Sequence, residues 1–117
     1  MKKILIIDDE QELLNMLEKF LTKKGHKVST FSNPVMAIDY INLNNTDLVL
    51  LDIMMPQMDG IIVLDKLKQK SPNLKVLMMT AYSTLDRVLK SHKIGADDYI
   101  LKPFESLALV EQKIQQY

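Results

Sequence analysis

The sequence predicts a doubly wound α/β domain, in which helices cover both faces of a parallel β-sheet. Apolar runs alternate along the chain with segments that repeat apolar residues at helical spacing. Three of these runs, at residues 3–7, 47–51 and 74–80, lack the polar alternation of a half-exposed strand, which is typical of strands buried on both faces. Strict alternation of strand and helix is the pattern of this fold class.

The predicted elements form five strand–helix units, which account for nearly every residue. The strands are expected at residues 3–7, 26–31, 47–51, 74–80 and 98–101. The helices are expected over residues 13–21 before Gly25, after the cap Asn33-Pro34, over 60–70, from a cap at Ser83 or Thr84 to about Gly95, and along 107–114. We therefore expect a single domain over residues 1–117.

The composition narrows the classes of function. Fifteen basic residues balance fifteen acidic ones, which gives no general attraction to nucleic acid or to an anionic membrane. No apolar run approaches the roughly 20 residues that span a bilayer, and the start MKKILIIDDE turns acidic too early for a signal peptide. Cysteine is absent, which excludes disulfides and thiolate metal sites and is compatible with the expected cytoplasmic location.

Polar residues follow the predicted strands at the edge where a doubly wound sheet binds its ligands, beyond the carboxyl ends of the strands. They are Asp8 and Asp9 after strand 1, Asp52 after strand 3, Thr80 after strand 4 and Lys102 after strand 5. We therefore expect three carboxylates, one hydroxyl and one amine to converge there.

The three carboxylates suggest a chemistry for this edge. Carboxylates that share a small cleft repel one another, so they either take up protons or hold a cation between them. Because the ligands on offer are oxygen atoms, the expected cation is Mg²⁺, with Mn²⁺ as the alternative. A carboxylate at such a site can also attack phosphorus and form an aspartyl phosphate, provided that a metal and a lysine offset the charge of the phosphoryl group.

Each of these residues also has an ordinary structural interpretation. Asp8 and Asp9 suit the first turn of a helix, and Asp52 suits the turn after a strand. Lys102 suits an exposed surface, and Thr80 suits a strand or a cap. Their common position at one edge of the sheet favours a functional site over five separate structural roles.

Four motifs resemble the receiver domains of two-component response regulators: IIDDE, LLDIMMPQMDG, MTAY and KPF. The resemblance extends over the chain from end to end. It implies a flavodoxin-like fold with five helices and the strand order 2-1-3-4-5, which is known for the chemotaxis members of this family.

The resemblance implies a role for each residue at the acidic edge. Asp52 would accept a phosphoryl group from a phosphohistidine of a sensor histidine kinase or of a histidine phosphotransfer protein. A Mg²⁺ ion would be held by Asp9, Asp52 and the backbone carbonyl of Met54, and by Asp8 through water. Lys102 would pair with the phosphoryl group and with Asp52.

The resemblance also implies a conformational switch and a means to set its lifetime. Thr80 would follow the phosphate inward, so that Tyr99 exchanges between an exposed and a buried rotamer. Met54 and Tyr82 would flank the path of the attacking water and tune the lifetime of the phosphoryl group. The peptide bond Lys102-Pro103 would be cis and would direct the lysine into the cleft.

The implied function is a phosphorylation-activated switch in a two-component phosphorelay, which regulates a partner through the surface of helix 4, strand 5 and helix 5. Such a chain is no enzyme beyond its own phosphotransfer and autodephosphorylation. Its partner is expected to be a downstream effector protein or an output domain outside these residues, and direct contact with nucleic acid or membrane is not expected. The chain is expected to be a monomer or a phosphorylation-dependent dimer.

Three other functions share parts of this pattern. A receiver-like interaction module that works without phosphorylation is the nearest, but the complete set of five polar residues argues against it. A flavodoxin-like cofactor binder needs a loop rich in Gly, Ser and Thr after strand 1, where this chain has DDEQE. A haloacid-dehalogenase-type phosphatase needs a second carboxylate two residues after its nucleophile, where this chain has Met54.

The histidines and several methionines are interpreted as structural. His26 and His92 lie in surface-like contexts with no second ligand nearby in the sequence, so a structural or solvated role is expected. Four methionines occur at core spacings and are expected to pack in the interior: Met16, Met36, Met78 and Met79.

Overall fold

The computed structural model describes residues 1–43, 45–81 and 85–117, and for residues 42, 43 and 85 it describes the backbone alone. Within these ranges, five parallel strands form one sheet in the order β2-β1-β3-β4-β5. The strands are β1 (Lys3–Ile7), β2 (Lys27–Phe31), β3 (Leu48–Asp52), β4 (Lys75–Thr80) and β5 (Asp98–Leu101). The predicted fold class and strand order are confirmed.

One helix follows each strand. The helices are α1 (Gln11–Lys23), α2 (Pro34–Leu43), α3 (Gly60–Lys70), α4 (Leu85–Ile94) and α5 (Leu107–Gln115). Side-chain caps start three of them, because Asn33, Asp59 and Ser106 accept hydrogen bonds from backbone N–H groups of α2, α3 and α5. The predicted cap of α4, Ser83 or Thr84, lies outside the described residues.

The sheet separates two apolar cores, which explains the unbroken apolar runs of the sequence. Alternate residues of each central strand point to opposite faces, so the residues at both odd and even positions must be apolar. One core lies between the sheet and α2 and α3, and its largest contributors from the strands are Leu5, Ile7, Val49, Leu51, Val76 and Met78. The other lies under α1 and α5, and its strand residues are Ile4, Ile6, Leu48, Leu50, Leu77, Met79 and Ile100.

Two predictions about burial are wrong. Met16 and Met36 are 42% and 59% exposed, because each lies beside the buried stripe of its helix and not on it. His26 is buried and not in the expected surface-like context, although its role is structural as predicted, since it contacts Glu111 of α5, 85 residues away in the sequence. Met78 and Met79 are fully buried, as predicted.

None of the helices within the described ranges has the length and the apolar character needed to cross a bilayer.

Candidate functional site

The register of the sheet brings the carboxyl ends of β1 and β3 level with each other. Ile7, the last residue of β1, pairs with Leu51 of β3. The next residue in each chain segment is an aspartate, so Asp8 and Asp52 lie side by side at the edge of the sheet. Asp52 is the last residue of β3, one residue later than the predicted strand end, and its carboxyl group is therefore held by the sheet itself.

The same register places Thr80 and Lys102 beside the acids. Asp52 pairs with Met79, and Thr80 at the end of β4 pairs with Leu101 at the end of β5. Lys102 is the next residue, and its backbone N–H donates to the carbonyl of Thr80. The predicted convergence of five polar residues at one edge is thus what the structure shows.

Three carboxylates form the centre of this edge. Oxygen atoms of Asp8, Asp9 and Asp52 all lie within 4.8 Å of one another. Asp8 is fully buried and Asp52 is 5% exposed, whereas Asp9 faces solvent. An oxygen-only cluster that is open on one side matches the preference of Mg²⁺, which uses one or two carboxylates and keeps several of its waters.

Lys102 supplies the positive charge nearest to these acids. Its Nζ lies 2.6 Å from Asp8 Oδ2, 3.5 Å from Asp52 Oδ1 and 3.5 Å from Glu10 Oε1. The ammonium is therefore bonded to Asp8 and only adjacent to Asp52. The peptide bond Lys102-Pro103 is cis, as the family resemblance implies.

Glu10 is a member of this edge that the sequence analysis missed. Its backbone N–H donates to Asp8 Oδ1 at 2.9 Å, and this local turn brings its own carboxylate toward Lys102. The signal was present in the sequence, since Glu10 is a third acid directly after Asp8 and Asp9.

Negative charge is in excess at this edge, and the pKa values of its residues are shifted. The pKa of Asp52 is raised to about 7, first by burial and then by the neighbouring charge of Asp8, against the opposing effect of Lys102. Burial also raises the pKa of Asp8, although its hydrogen bond from Lys102 acts in the opposite direction. Burial alone lowers the pKa of Lys102, but its bond to Asp8 and the charge of Asp52 raise it overall.

The loop after β3 packs directly against Asp52. The backbone N–H of Met54 lies 3.4 Å from Asp52 Oδ1 and donates to it, while the Met54 side chain is exposed. The N–H of Gly60 donates to the carbonyl of Ile53 at 2.8 Å. A Cβ at Gly60 would lie 2.2 Å from the carbonyl oxygen of Asp52, so only glycine permits this close return of the loop.

Thr80 and Tyr99 connect the edge to α4. Thr80 is buried, and its hydroxyl donates to the carbonyl of Ala81 at 3.1 Å. The Tyr99 hydroxyl donates to the carbonyl of Val88 at 3.0 Å and lies 3.2 Å from Ser91 Oγ, so the half-buried ring is tied to α4. Tyr82, the second residue predicted to tune the phosphoryl lifetime, lies outside the described residues.

Comparison with known proteins assigns the chain to a family. The family model of the response regulator receiver domain matches residues 4–114. The chain belongs to this family. Receiver domains are phosphoacceptor switches and not classical enzymes, they bind Mg²⁺ at an acidic pocket, and they interact with histidine kinases and output domains. The receiver family makes the phosphorylation-independent module the less favoured interpretation.

The relatives of this receiver domain include proteins much longer than this chain and one of similar length. The chain is 39% identical over 115 residues to the DNA-binding transcriptional regulator NtrC of Klebsiella pneumoniae, covering 96% of this chain and 24% of that protein. It is 38% identical over 104 residues to sporulation initiation phosphotransferase F of Bacillus subtilis, covering 89% of this chain and 84% of that protein. The chain thus spans about a quarter of the length of the NtrC relatives.

A solved structure shows the same fold. The CheY-like response regulator receiver domain protein from Methanospirillum hungatei superposes with a TM-score of 0.94 at 31% identity, covering 99% of this chain and 92% of that one.

Proposed function

We propose that Asp52 is the phosphoacceptor of this receiver domain. The observation that carries the proposal is a buried carboxylate at a strand end, with two further carboxylates within 4.8 Å and an ammonium at 3.5 Å. An oxygen of Asp52 attacks the phosphorus of a phosphohistidine on a sensor histidine kinase or a histidine phosphotransfer protein. The bond from phosphorus to the imidazole nitrogen breaks, and that nitrogen keeps the electron pair and takes up a proton.

The donor set fits a magnesium ion. Negative charge is in excess at this edge, and the pKa of Asp52 is raised first by burial and then by the charge of Asp8. Asp9, Asp52 and the backbone carbonyl of Met54 would hold Mg²⁺ or Mn²⁺, with Asp8 bound through water. When bound, the ion offsets the negative charge of the phosphoryl oxygens.

The chain's own residues then carry the signal outward. Lys102 exchanges its bond with Asp8 for one with the phosphoryl group, since its Nζ lies only 3.5 Å from Asp52 Oδ1. Thr80 donates a hydrogen bond to a phosphoryl oxygen, and Tyr99 leaves its bond with the Val88 carbonyl. The surface of α4, β5 and α5 changes as a result, and it binds a downstream effector protein or an output domain of a longer protein.

The phosphoryl group is removed by water, which makes autodephosphorylation the second reaction of the chain upon itself. The backbone N–H of Met54 donates to Asp52 and its side chain is exposed, and in this proposal Met54 and Tyr82 tune the lifetime of the phosphoryl group. Residues 1–117 act in this proposal as one receiver domain, either as a monomer or as a dimer that forms on phosphorylation.

A small phosphodonor tests the proposal without the cognate kinase. Acetyl phosphate with Mg²⁺ is expected to add the mass of one phosphoryl group to the wild type and none to Asp52→Asn, as read by intact-protein mass spectrometry. Asp39→Asn is the matched control, because Asp39 is exposed on α2 and makes no ion pair with any described residue. An unmodified wild type, or modification of Asp52→Asn to the wild-type extent, contradicts the proposal.

A further inference from the structure

An ion pair joins the loop after β3 to α4. The guanidinium of Arg87, in the first turn of α4, contacts Asp59 Oδ2. The other carboxylate oxygen, Asp59 Oδ1, accepts the N–H of Ile61 at 2.9 Å and so caps α3. One side chain therefore fixes the start of α3 with one oxygen and holds α4 with the other. We call this Asp59–Arg87 pair the latch.

The Asp59 end of the latch is attached closely to the proposed phosphoacceptor. Asp59 directly precedes Gly60, whose N–H donates to the carbonyl of Ile53 and whose Cα faces the carbonyl of Asp52. Because this return of the loop leaves no room even for a methyl group, a shift of the backbone at Asp52 or Ile53 must move Asp59 as well. The loop between these two points carries Met54, whose carbonyl is the proposed metal ligand.

The Arg87 end is attached to the helix that the proposed switch must move. The next residue, Val88, offers the carbonyl that accepts the Tyr99 hydroxyl at 3.0 Å. The amino-terminal half of α4 is thus held from two directions, by Tyr99 of β5 and by Asp59 of the loop after β3. Both attachments lead back to the acidic edge, one through β5 and the other through the loop of Asp52.

Two features of the latch favour its release. Its two side chains are 35% and 29% exposed, so water competes for both charges. Arg87 Nε is buried and has no hydrogen-bond acceptor among the described residues, which is a cost that the closed latch bears and the open latch does not. By contrast, the acid of the Lys113–Asp98 pair also accepts the Tyr117 hydroxyl and the Tyr99 amide.

We propose that the Asp59–Arg87 latch holds α4 in the position it takes before phosphorylation, and that it thereby opposes phosphorylation of Asp52. The inference rests on the proposed function and adds a second connection between its site and α4. Coupling between two sites is reciprocal: if phosphorylation of Asp52 opens the latch, then opening the latch favours phosphorylation of Asp52. Loss of the ion pair should therefore make the chain easier to phosphorylate.

Two substitutions open the latch from opposite ends. Arg87→Gln removes the cation, and Asp59→Asn removes the anion while keeping a residue that caps helices equally well. Lys90→Gln is the matched control, because Lys90 is exposed on the same helix and makes no ion pair with any described residue. For each variant, intact-protein mass spectrometry gives the rate of modification by acetyl phosphate with Mg²⁺, and amide hydrogen exchange gives the opening of α4 in the unmodified chain.

Arg87→Gln and Asp59→Asn are each expected to raise both rates about two- to fivefold over the Lys90→Gln control, as expected for loss of a partly exposed pair. The double variant is expected to match the single ones, because the second substitution has no pair left to break. Modification of Arg87→Gln at the control rate, or effects that multiply in the double variant, overturn the latch alone. A wild type that gains no phosphoryl group overturns the proposed function, and the latch with it.

Discussion

The two edges of the sheet contain buried acids of very different character. At the amino edge, where the strands begin, each buried or half-buried acid meets donors of its own. At the carboxyl edge, where the strands end, Asp8, Asp52 and Glu10 share Lys102, whose Nζ lies within 3.5 Å of each. The fold thus uses charge in two ways: the acids of the amino edge are paired and hold elements together, whereas the acids of the carboxyl edge outnumber the lysine that they share and leave room for a cation.

Asp97 and Asp98 illustrate the amino edge. Asp97 Oδ2 accepts from Lys68 Nζ at 3.1 Å and from the N–H of Val76 at 2.8 Å, which ties α3 to β4. Burial raises the pKa of Asp98, but hydrogen bonds, above all from Lys113 of α5, lower it overall. The pKa of Asp98 is lowered and that of Asp52 is raised, because Asp98 is less buried than Asp52 and accepts more hydrogen bonds.

His26 and Glu111 complete the amino edge between the start of β1 and α5. The N–H of Lys2 donates to His26 Nδ1 at 3.1 Å, so the ring hydrogen is on Nε2, which lies 3.0 Å from both carboxylate oxygens of Glu111. Gln115 Nε2 also donates to Glu111 at 2.8 Å. Each of these contacts has a defined donor and acceptor, and together they join the start of β1, the start of β2 and α5.

The largest expected effect is a pH dependence of the free energy of unfolding that arises at the carboxyl edge. The pKa of Asp52 is about 7 in the folded chain against 3.8 as its ordinary value, so folding favours the protonated form. This stabilisation is fully present below about pH 4 and is lost as the pH rises to about 7, with a steepest slope of about 1.4 kcal/mol per pH unit. Without metal, the wild type should therefore lose on the order of 3 kcal/mol relative to Asp52→Asn across this window.

Urea unfolding of both proteins in a chelating buffer, at several pH values, measures that difference. Added Mg²⁺ should reduce the slope, because a bound cation favours the ionised carboxyl group. A difference between wild type and Asp52→Asn that stays constant from pH 4 to pH 7 would show that the carboxyl edge is as well compensated as the amino edge.

The next effect tests the amino edge directly. Glu111→Ala leaves the buried Nε2–H of His26 and the amide of Gln115 without their acceptor, so we expect a loss of about 2 kcal/mol in the free energy of unfolding. Phosphorylation of Asp52 by acetyl phosphate should persist under conditions where the variant is folded. The double variant His26→Leu/Glu111→Leu removes donor and acceptor together and should recover part of the loss. Equal stability of Glu111→Ala and wild type would refute the structural role of the pair.

The smallest effect is a gain in stability at the carboxyl edge, opposite in sign to the loss expected at the amino edge. Asp8→Asn removes a charge that repels Asp52, so the metal-free protein at pH 8 should gain about 1 kcal/mol in the free energy of unfolding while Mg²⁺ binds more weakly. Asp98→Asn is the matched variant, because it removes a paired acid and should destabilise the protein. The same sign for both substitutions in urea unfolding would remove the distinction between the edges.

Much of the fold and of the site was predictable from local patterns. Unbroken apolar runs predicted central strands with two buried faces, and both cores confirm this for β1, β3 and β4. The five polar residues were predicted to meet because parallel strands of similar length bring their carboxyl ends to one edge, whatever the packing between them. The strand order was implied by the family resemblance, and the structure confirms it.

The sequence by itself therefore predicted five of the residues that reach the acidic edge, while Glu10 was found only in the structure. Only the tertiary structure decided how charged and polar side chains pair. It shows that Lys102 bonds to Asp8 and lies farther from Asp52, that His26 is buried against Glu111, and that Arg87 contacts Asp59. The reason is physical. A strand's position follows from periodicity along the chain, whereas the partner of a charged side chain depends on distances of a few ångströms between segments that the sequence separates widely.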